Sequence, residues 1–171
     1  MSTPKKIFFS YSNQTEDLEL YTKLYKHFAL FSKAGYISII GKKELLSINN
    51  DTTKIEKVLE GVDITIPLLS TDFFNDDVCL QQVQAASLLN KEIIPVLLRS
   101  CEWREFPGYM KFEDRLLPRD KNSLLTNMGY TSDKETALMN VAHQIKHMAY
   151  PAEQNLNLVK QHNILNYILA Q

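Results

Sequence analysis

Short apolar runs alternate with amphipathic segments along most of this chain. Residues 6–10, 36–40, 64–69 and 92–98 are each short and largely apolar, which is typical of strands that are covered on both faces. The segments between them repeat apolar residues at the spacing of one helix face. Strands and helices in alternation predict an α/β fold: a doubly wound parallel sheet with helices on both faces.

Start and stop signals divide the helical segments. Thr15 is predicted to cap the first helix, with Asp17 in its first turn, and Gly35 is predicted to end it. A capping box at residues 132–135 begins the last helix of the core. Pro95 lies inside the fourth apolar run, and this predicts an edge position or a local bulge there.

The stretch from Asp63 to Leu89 carries the pattern around which the chain is organised. Residues 64–69 are predicted to be a buried strand, and Asp76 opens a helix whose inward stripe has Gln82 in its middle. In a parallel sheet the loops after the strands meet at one edge, and ligands bind there. These loops span residues 10–14, 41–46, 70–77 and 99–107. A ligand site beside Gln82 is one interpretation; a core-edge glutamine bonded to a loop carbonyl is the other.

The overall composition is that of an ordinary globular domain. The 171 residues are 44% hydrophobic and 23% charged, with a formal net charge of −1, so we expect no direct binding to nucleic acid or to a membrane surface. No apolar window approaches the length of a membrane span, and the first residues do not form a signal peptide. Cys79 and Cys101 are expected to be reduced thiols, which indicates a cytoplasmic protein.

Most signatures of enzyme chemistry are missing from the sequence. His143 and His147 have the spacing of a metal-binding pair, but they lie opposite the apolar stripe of their helix and have no third ligand. No metal site is therefore predicted. Neither a phosphate-binding glycine loop nor a nucleophile elbow occurs. Lys42 and Lys43 are typical of a solvent-exposed loop, and Trp103 either walls a pocket or pins its own loop.

Four segments together resemble a bacterial TIR domain, the Toll/interleukin receptor domain. They are IFFSYSNQTED, ITIPLLSTDFFNDDVCLQQ, IIPVLLRSCEW and LPRD with the capped helix after it, and their order matches from about Lys6 to Tyr150. The resemblance implies a flavodoxin-like sheet of about five parallel strands, with the first, third and fourth at its centre and the fifth around residues 123–127. It also implies a homo-oligomer formed through TIR–TIR contacts.

The resemblance implies a function on NAD⁺ as substrate, with no further cofactor. Many bacterial TIR domains cleave the bond between nicotinamide and ribose, releasing nicotinamide with ADP-ribose or a cyclic variant, often as the toxic arm of antiviral defence. The family's catalytic glutamate lies about three residues beyond a cysteine on the helix after the third strand. Counted from Cys79, that position is Gln82, whereas Val83 is expected to point away from the inward stripe.

The substrate-binding residues that the resemblance implies lie around the same strand ends. The set comprises Phe9, Ser10, Tyr11, Ser12, Lys43, Cys79 and Trp103. Its first four members are expected to line the nicotinamide-ribose side of the site.

Gln82 departs from the family pattern in charge but not in shape. Cleavage develops positive charge on the ribose ring, which a carboxylate stabilises and an amide does not. The chain itself is therefore expected to have little or no activity. Either it is a naturally degenerate TIR domain used for binding, or a glutamate was replaced by its neutral isostere; the otherwise intact motif favours replacement. Residues 40–43 differ as well, since relatives often carry an aromatic and an acidic residue there.

The domain boundary is expected near Pro151, which blocks continuation of the last core helix. Residues 1–150 are then the TIR domain, and 151–171 a C-terminal helical extension or linker. Its apolar stripe needs a partner, which is this domain, a second copy, or a downstream sensor or regulatory domain.

Two other functions compete with NAD⁺ cleavage. A non-catalytic TIR adaptor would need only interaction surfaces. A receiver-like domain would need an acidic cluster at the end of the first strand, which Phe9, Ser10 and Tyr11 do not provide.

Overall fold

Strands and helices alternate through the ranges that the computed structural model describes, which are residues 3–41, 52–118 and 134–150. The elements are β1 (Lys5–Ser10), α1 (Thr15–Lys33), β2 (Ile37–Ile40), α2 (Thr52–Glu60), β3 (Ile64–Leu69), α3 (Thr71–Phe74), α4 (Asp77–Leu88), β4 (Glu92–Ile93), β5 (Val96–Leu97) and α5 (Lys134–Ala149). Two 3₁₀ segments, Trp103–Glu105 and Met110–Arg115, lie between β5 and α5.

The sheet is parallel, and β1 and β3 lie at its centre as predicted, whereas β4 ends the strand order. Its strand order is β2-β1-β3-β4, and β5 continues the pairing along β3. A further parallel bridge joins Val96 to Leu117, so β5 also has a neighbour on its far side. The expected flavodoxin-like arrangement of five parallel strands with helices is confirmed, whereas the strand predicted around 123–127 lies outside the described residues.

Pro95 divides the fourth predicted strand. The apolar run 92–98 forms β4 and β5 on either side of Ile94 and Pro95 instead of one continuous strand. Proline has no backbone N–H to donate to the ladder, so the pairing is interrupted where it stands. The predicted edge position or bulge thus takes the form of a break between β4 and β5.

The two faces of the sheet bury separate apolar cores. Side chains of β1 alternate between them, with Ile7 and Phe9 in the core under α1 and α5, and Phe8 in the core under α2 and α4. All six residues of β3 are buried, as its nearly continuous apolar sequence predicts for a central parallel strand. The same alternation determines which residues at the end of β1 face α4.

The helix boundaries confirm some sequence signals and correct one. Asp76 caps α4, because its carboxylate accepts the N–H groups of Val78 and Cys79. Gly35, at φ +79°, follows the end of α1 as predicted. Thr15 does not cap α1, since it already lies in the first turn and Gln14 is the N-cap without a side-chain hydrogen bond.

Two further expectations concern residues that lie partly or wholly outside the described ranges. The capping box begins before residue 134, so only the helix that it was predicted to start is described. The C-terminal extension 151–171 lies outside the described residues. None of the helices within the described ranges combines the length and apolar character that a membrane span requires.

Truncating Ile66 in β3 should test the central position of this strand. Ile66 is fully buried, and Ile66→Ala should lower the free energy of unfolding by about 2–5 kcal/mol, because it removes packed methyl groups and leaves a cavity. Leu30→Ala is the control, since Leu30 is 63% exposed and should change stability by less than about 0.5 kcal/mol. Urea denaturation measures both, and equal losses would contradict the assignment.

Candidate functional site

Gln82 lies buried at the carboxyl edge of the sheet and is held by a side chain from β1. It is only 1% exposed, and the Ser10 hydroxyl donates a hydrogen bond of 2.7 Å to its Oε1 atom. Ser10 is the last residue of β1 and is itself fully buried. The two residues are 72 positions apart in the chain, so this contact exists only because α4 packs across the end of β1.

Burial does not distinguish Gln82 from its neighbour Val83. Val83, which was expected to point away from the stripe that carries Gln82, is buried as well, in the core under α2 and α4. α4 packs against α2 on one side and lies beside the 3₁₀ segments on another, so its apolar surface extends round more of the helix than one stripe. What singles out Gln82 is the hydrogen bond from Ser10.

The residues at the end of β1 point to different faces of the sheet. Phe9 and Tyr11 pack in the core under α1: the Phe9 ring centre is 5.0 Å from that of Phe28, and Tyr11 stacks on Tyr21 at 4.0 Å. Ser10, between them, points to α4 and Gln82. Phe9 therefore supports the site from behind the sheet.

The pKa of Tyr11 is affected by residues on both faces of the sheet, Tyr21 on α1 and Cys79 on α4. Burial raises the pKa of Tyr11, a hydrogen bond with Tyr21 lowers it, and the charge interaction with Cys79 raises it again, so the pKa ends above the ordinary value. Cys79 is a buried cysteine on α4, one turn before Gln82. Because its pKa is raised, Tyr11 stays protonated at neutral pH and can act only as a hydrogen-bonding or packing group.

The remaining residues of the predicted set differ in their position. Ser12 is buried and its hydroxyl accepts the N–H of Gln14 at 3.2 Å, which shapes the loop after β1. Trp103 is buried in the same core cluster as Cys79, and the Arg104 guanidinium carbon lies 4.5 Å from the centre of its ring. This burial favours the interpretation in which Trp103 pins its own loop. Lys43 lies outside the described residues.

Charged side chains join three strand ends next to Ser10 and Gln82. We call Asp17, Ser70, Asp72 and Arg99 the strand-end clamp. The Arg99 Nε atom donates to the fully buried carboxylate of Asp17 at 2.7 Å, and another guanidinium nitrogen donates to Asp72. The Ser70 hydroxyl donates to the second oxygen of Asp17 and accepts the N–H of Phe73 at 3.0 Å, thereby capping α3.

The carboxylates of the clamp stabilise the charged form of Arg99. Partial burial lowers the pKa of Arg99, but hydrogen bonds and charge interactions with Asp17 and Asp72 outweigh it and leave the pKa above its ordinary value. Exposed Glu16 adds a third carboxylate, 2.6 Å from the guanidinium. The backbone N–H groups of Leu98 and Arg99 also donate to the carbonyl oxygen of Leu69, so the ends of β3 and β5 are joined twice.

Reasoning from the sequence missed the clamp. Asp17 was expected to be an ordinary acidic residue in the first turn of a helix, and Arg99 was not singled out. The available signal was positional: a lone arginine directly follows an apolar run, while Asp17 and Asp72 follow two neighbouring runs by a few residues. Because the ends of parallel strands meet at one edge, opposite charges in these three places indicate an ion pair.

The histidines lie away from this edge. His143 and His147 are both exposed on α5, as predicted, and burial, together with the neighbouring His147, Lys146 and His27, lowers the pKa of His143. Among the described residues, no three His, Cys, Asp or Glu side chains come close enough to hold a metal ion.

The site as it stands offers hydrogen bonds without charge at Gln82. The Gln82 oxygen is occupied by Ser10, and its amide nitrogen has two N–H groups that can donate to a hydroxyl or carbonyl. A carboxylate of the same shape would keep the contact with Ser10 and add a negative charge. The clamp supplies the rigidity that such a position needs, since it fixes the neighbouring strand ends.

Comparisons with known proteins agree with this architecture. A family model described as TIR domain matches residues 7–123. Among solved structures, the chain is similar to the TIR domain of the Toll-related receptor TRR-2 from Hydra magnipapillata, with 22% sequence identity, a TM-score of 0.46, and coverage of 64% of this chain and 81% of that one. No curated protein matches the chain.

Replacing Arg99 should test the clamp. Arg99→Met leaves the Asp17 carboxylate buried without its cation, and we expect the free energy of unfolding at neutral pH to fall by about 3 kcal/mol or more. Arg104→Met is the matched control, because the Arg104 side chain is half exposed and its loss should cost about 1 kcal/mol or less. Chemical denaturation measures the free energy of unfolding of both variants. If Arg99→Met loses no more stability than Arg104→Met, the proposed role of the clamp is contradicted.

Proposed function

The chain belongs to the TIR-domain family, and from this premise we propose that its parent protein, with a glutamate at position 82, cleaves NAD⁺. In this proposal the bond between nicotinamide and ribose breaks. Nicotinamide is one product, and ADP-ribose or a cyclic variant is the other. Gln82 stands at the position of the catalytic glutamate. The chain in its present form has little or no activity, because that position carries no charge.

One observation supports this proposal above the others: the buried hydrogen bond from Ser10 to Gln82 at the carboxyl edge of the sheet. A core glutamine with a purely structural role would be expected to bond to a loop carbonyl, which was the alternative considered from the sequence. Here a serine hydroxyl from the neighbouring strand end orients the side-chain oxygen instead. A carboxylate in this place would be oriented by the same hydroxyl.

The chemistry depends on charge development in the ribose ring. When the glycosidic bond breaks, the ring becomes positively charged, and a carboxylate next to it stabilises that state more than the ground state. Nicotinamide leaves as a neutral molecule, so it needs no proton from the enzyme. Loss of one well-placed electrostatic group costs on the order of 3–4 kcal/mol in the transition state, or about a hundredfold to a thousandfold in rate.

The biological role in this proposal is that of an effector in bacterial antiviral defence, activated when TIR domains assemble. Homo-oligomer formation through TIR–TIR contacts is part of it, and residues 151–171 lead to a sensor or regulatory domain or to a neighbouring subunit. Of the expected substrate-binding residues, Ser10 and Ser12 belong to the β1 end, Cys79 precedes Gln82 by one turn, and Lys43 belongs to the loop after β2.

A non-catalytic adaptor is the second candidate function. The observation that favours it is Gln82 itself, a neutral side chain that is fully buried and has a hydrogen-bond partner in the chain as it stands. An adaptor of this kind would act through surfaces alone and would not change its thermal stability when NAD⁺ is added.

Substituting Gln82→Glu should restore NAD⁺ cleavage. We expect the rate of NAD⁺ loss to rise by about a hundredfold to a thousandfold at high protein concentration, measured by release of nicotinamide. Gln81→Glu is the matched control, because it adds the same charge one residue earlier on α4, outside the contact with Ser10. It should stay as inactive as the starting chain.

The result distinguishes the two candidate functions. If Gln82→Glu folds, as judged by circular dichroism, and still does not consume NAD⁺, the enzyme proposal fails and the adaptor gains support. Equal activity of the Gln81→Glu and Gln82→Glu variants would also count against the proposed role, since it would mean that position 82 has no special relation to the substrate.

A further inference from the structure

A basic cavity lies at the amino edge of the sheet, where α4 ends and β4 begins. Its volume is about 390 Å³, which is within the range of sites that hold small ligands. Three cationic residues line it, Lys91, Lys111 and Arg115, together with the neutral polar residues Ser87 and Asn90. Among the described residues, no acidic side chain belongs to this lining. The cavity is therefore expected to attract anions.

The end of α4 brings the first of these cations to the cavity. Asn90 has a φ of +54°, and asparagine adopts this left-handed conformation more readily than most other residues. The N–H groups of Asn90 and Lys91 donate to the carbonyl oxygens of Ser87 and Ala86, which closes the helix. Lys91 therefore leaves the helix and stands at the start of β4.

The second 3₁₀ segment contributes the other two cations. The Lys111 amine donates to the Ser87 hydroxyl at 3.0 Å, so it is held against the last turn of α4. Arg115 pairs with the carboxylate of Glu92, the first residue of β4. The cavity thus collects its cations from three places, the end of α4 and the two ends of the 3₁₀ segment.

The cavity keeps an excess of positive charge after its protein partners are counted. Arg115 has Glu92 as its partner, whereas the Lys91 amine donates to a neutral group, the backbone carbonyl of Glu60, at 2.7 Å. Glu113, in the same 3₁₀ segment, pairs with a guanidinium outside the lining, and exposed Asp114 is not part of the lining. Three cations against one carboxylate in these contacts leave an excess of two positive charges.

An apolar groove opens from the same cavity. It has a volume of about 400 Å³, lies between α4 and the two 3₁₀ segments, and shares Ser87, Lys111 and Phe112 with the basic cavity. Leu88 at its rim is 70% exposed, and Leu80 belongs to its mainly apolar walls. A ligand that fills both spaces has an anionic head and an apolar body.

The excess charge and the types of donor favour phosphate as the anionic head. A phosphate monoester carries a charge of about −1.5 to −2 at neutral pH and has three acceptor oxygens, whereas a carboxylate carries a single charge. An arginine binds phosphate through two parallel N–H groups, and a lysine binds it as a point charge. The Ser87 hydroxyl and the Asn90 amide can donate further hydrogen bonds.

We propose that this cavity binds a free phosphate monoester with an apolar body. Lys91, Lys111 and Arg115 hold the phosphate group, and the body extends past the Phe112 ring into the apolar groove. The two spaces are bounded by helices, which suits a small molecule better than the flat surface of a membrane. The cavity lies at the amino edge of the sheet and Gln82 at the carboxyl edge, so the inference is independent of NAD⁺ cleavage.

NMR titration of the ¹⁵N-labelled full chain with phenyl phosphate tests the site. We expect a dissociation constant of about 1 mM, with chemical-shift changes at residues 87–91 and 111–115. Inorganic phosphate lacks the apolar body and should bind about tenfold more weakly. Benzyl alcohol lacks the charge and should not bind at the same concentrations. Shift changes at Ser10 and Gln82 instead, or equal binding of benzyl alcohol, would overturn the proposed site.

Substitutions in the cavity test its cations one at a time. Lys91→Met and Lys111→Met should each weaken the binding of phenyl phosphate about tenfold, because each removes a charge-assisted hydrogen bond. Arg115→Lys keeps a positive charge beside Glu92 but loses the two parallel donors, and it should weaken binding about threefold or more. Lys23→Met is the matched control, because it removes an exposed lysine from α1, on the other face of the sheet, and should leave binding unchanged.

Vesicles distinguish a free ligand from a lipid headgroup. Co-sedimentation with phosphatidylcholine vesicles that contain phosphatidate should show no binding of the chain. Binding to these vesicles that is lost in Lys111→Met, without binding of phenyl phosphate, would overturn the proposal in favour of a membrane surface. Circular dichroism verifies that each variant folds. The proposal also fails if phenyl phosphate does not bind at about 10 mM, or if Lys23→Met weakens its binding as much as Lys91→Met does.

Discussion

The ion pair between Asp17 and Arg99 is the contact on which the functional edge of this molecule depends. Asp17 is fully buried, and a carboxylate without a partner there would be costly. Its partners come from separate parts of the chain: Arg99 follows β5 and Ser70 follows β3, while Asp17 itself lies on the helix after β1. All three strand ends must therefore be in register before the charge is satisfied, so the clamp rigidifies the edge where the chemistry would take place.

The candidate site uses the two faces of β1 for different purposes. On one face Phe9 and Tyr11 pack against aromatic side chains of α1, which supports the strand end with apolar contacts. On the other face the Ser10 hydroxyl donates a hydrogen bond to Gln82. A buried pair of this type needs a fixed geometry, and the aromatic packing on α1 and the clamp both contribute to it. Under the proposed function, the activity of the site depends on one functional group at position 82, which is an amide in this chain and a carboxylate in an active enzyme.

The two sides of α4 have different surroundings. α4 directs Gln82 to the strand ends, and it presents Leu80, Leu88 and its neighbours to an open groove that ends at basic side chains. A helix that is buried on several sides and also borders an accessible groove has an apolar surface larger than one core requires.

The local pattern of the sequence determined the sheet, because burial on both faces requires continuous apolar runs and caps such as Asp76 act within a few residues. It also placed Gln82 on the inward stripe of its helix, whereas the family's glutamate position was assigned to it only by the resemblance to TIR domains. Only the tertiary structure decided the rest, since the deciding contacts join residues far apart in the chain. Burial of Val83 follows from the neighbours packed around α4, which no single-helix pattern contains. From the sequence, Asp17 was only an acidic residue in the first turn of a helix. The structure places Arg99, 82 residues later, beside it. Charge pairing depends on distance in space and not on separation in sequence, so the sequence pattern alone did not reveal this pair.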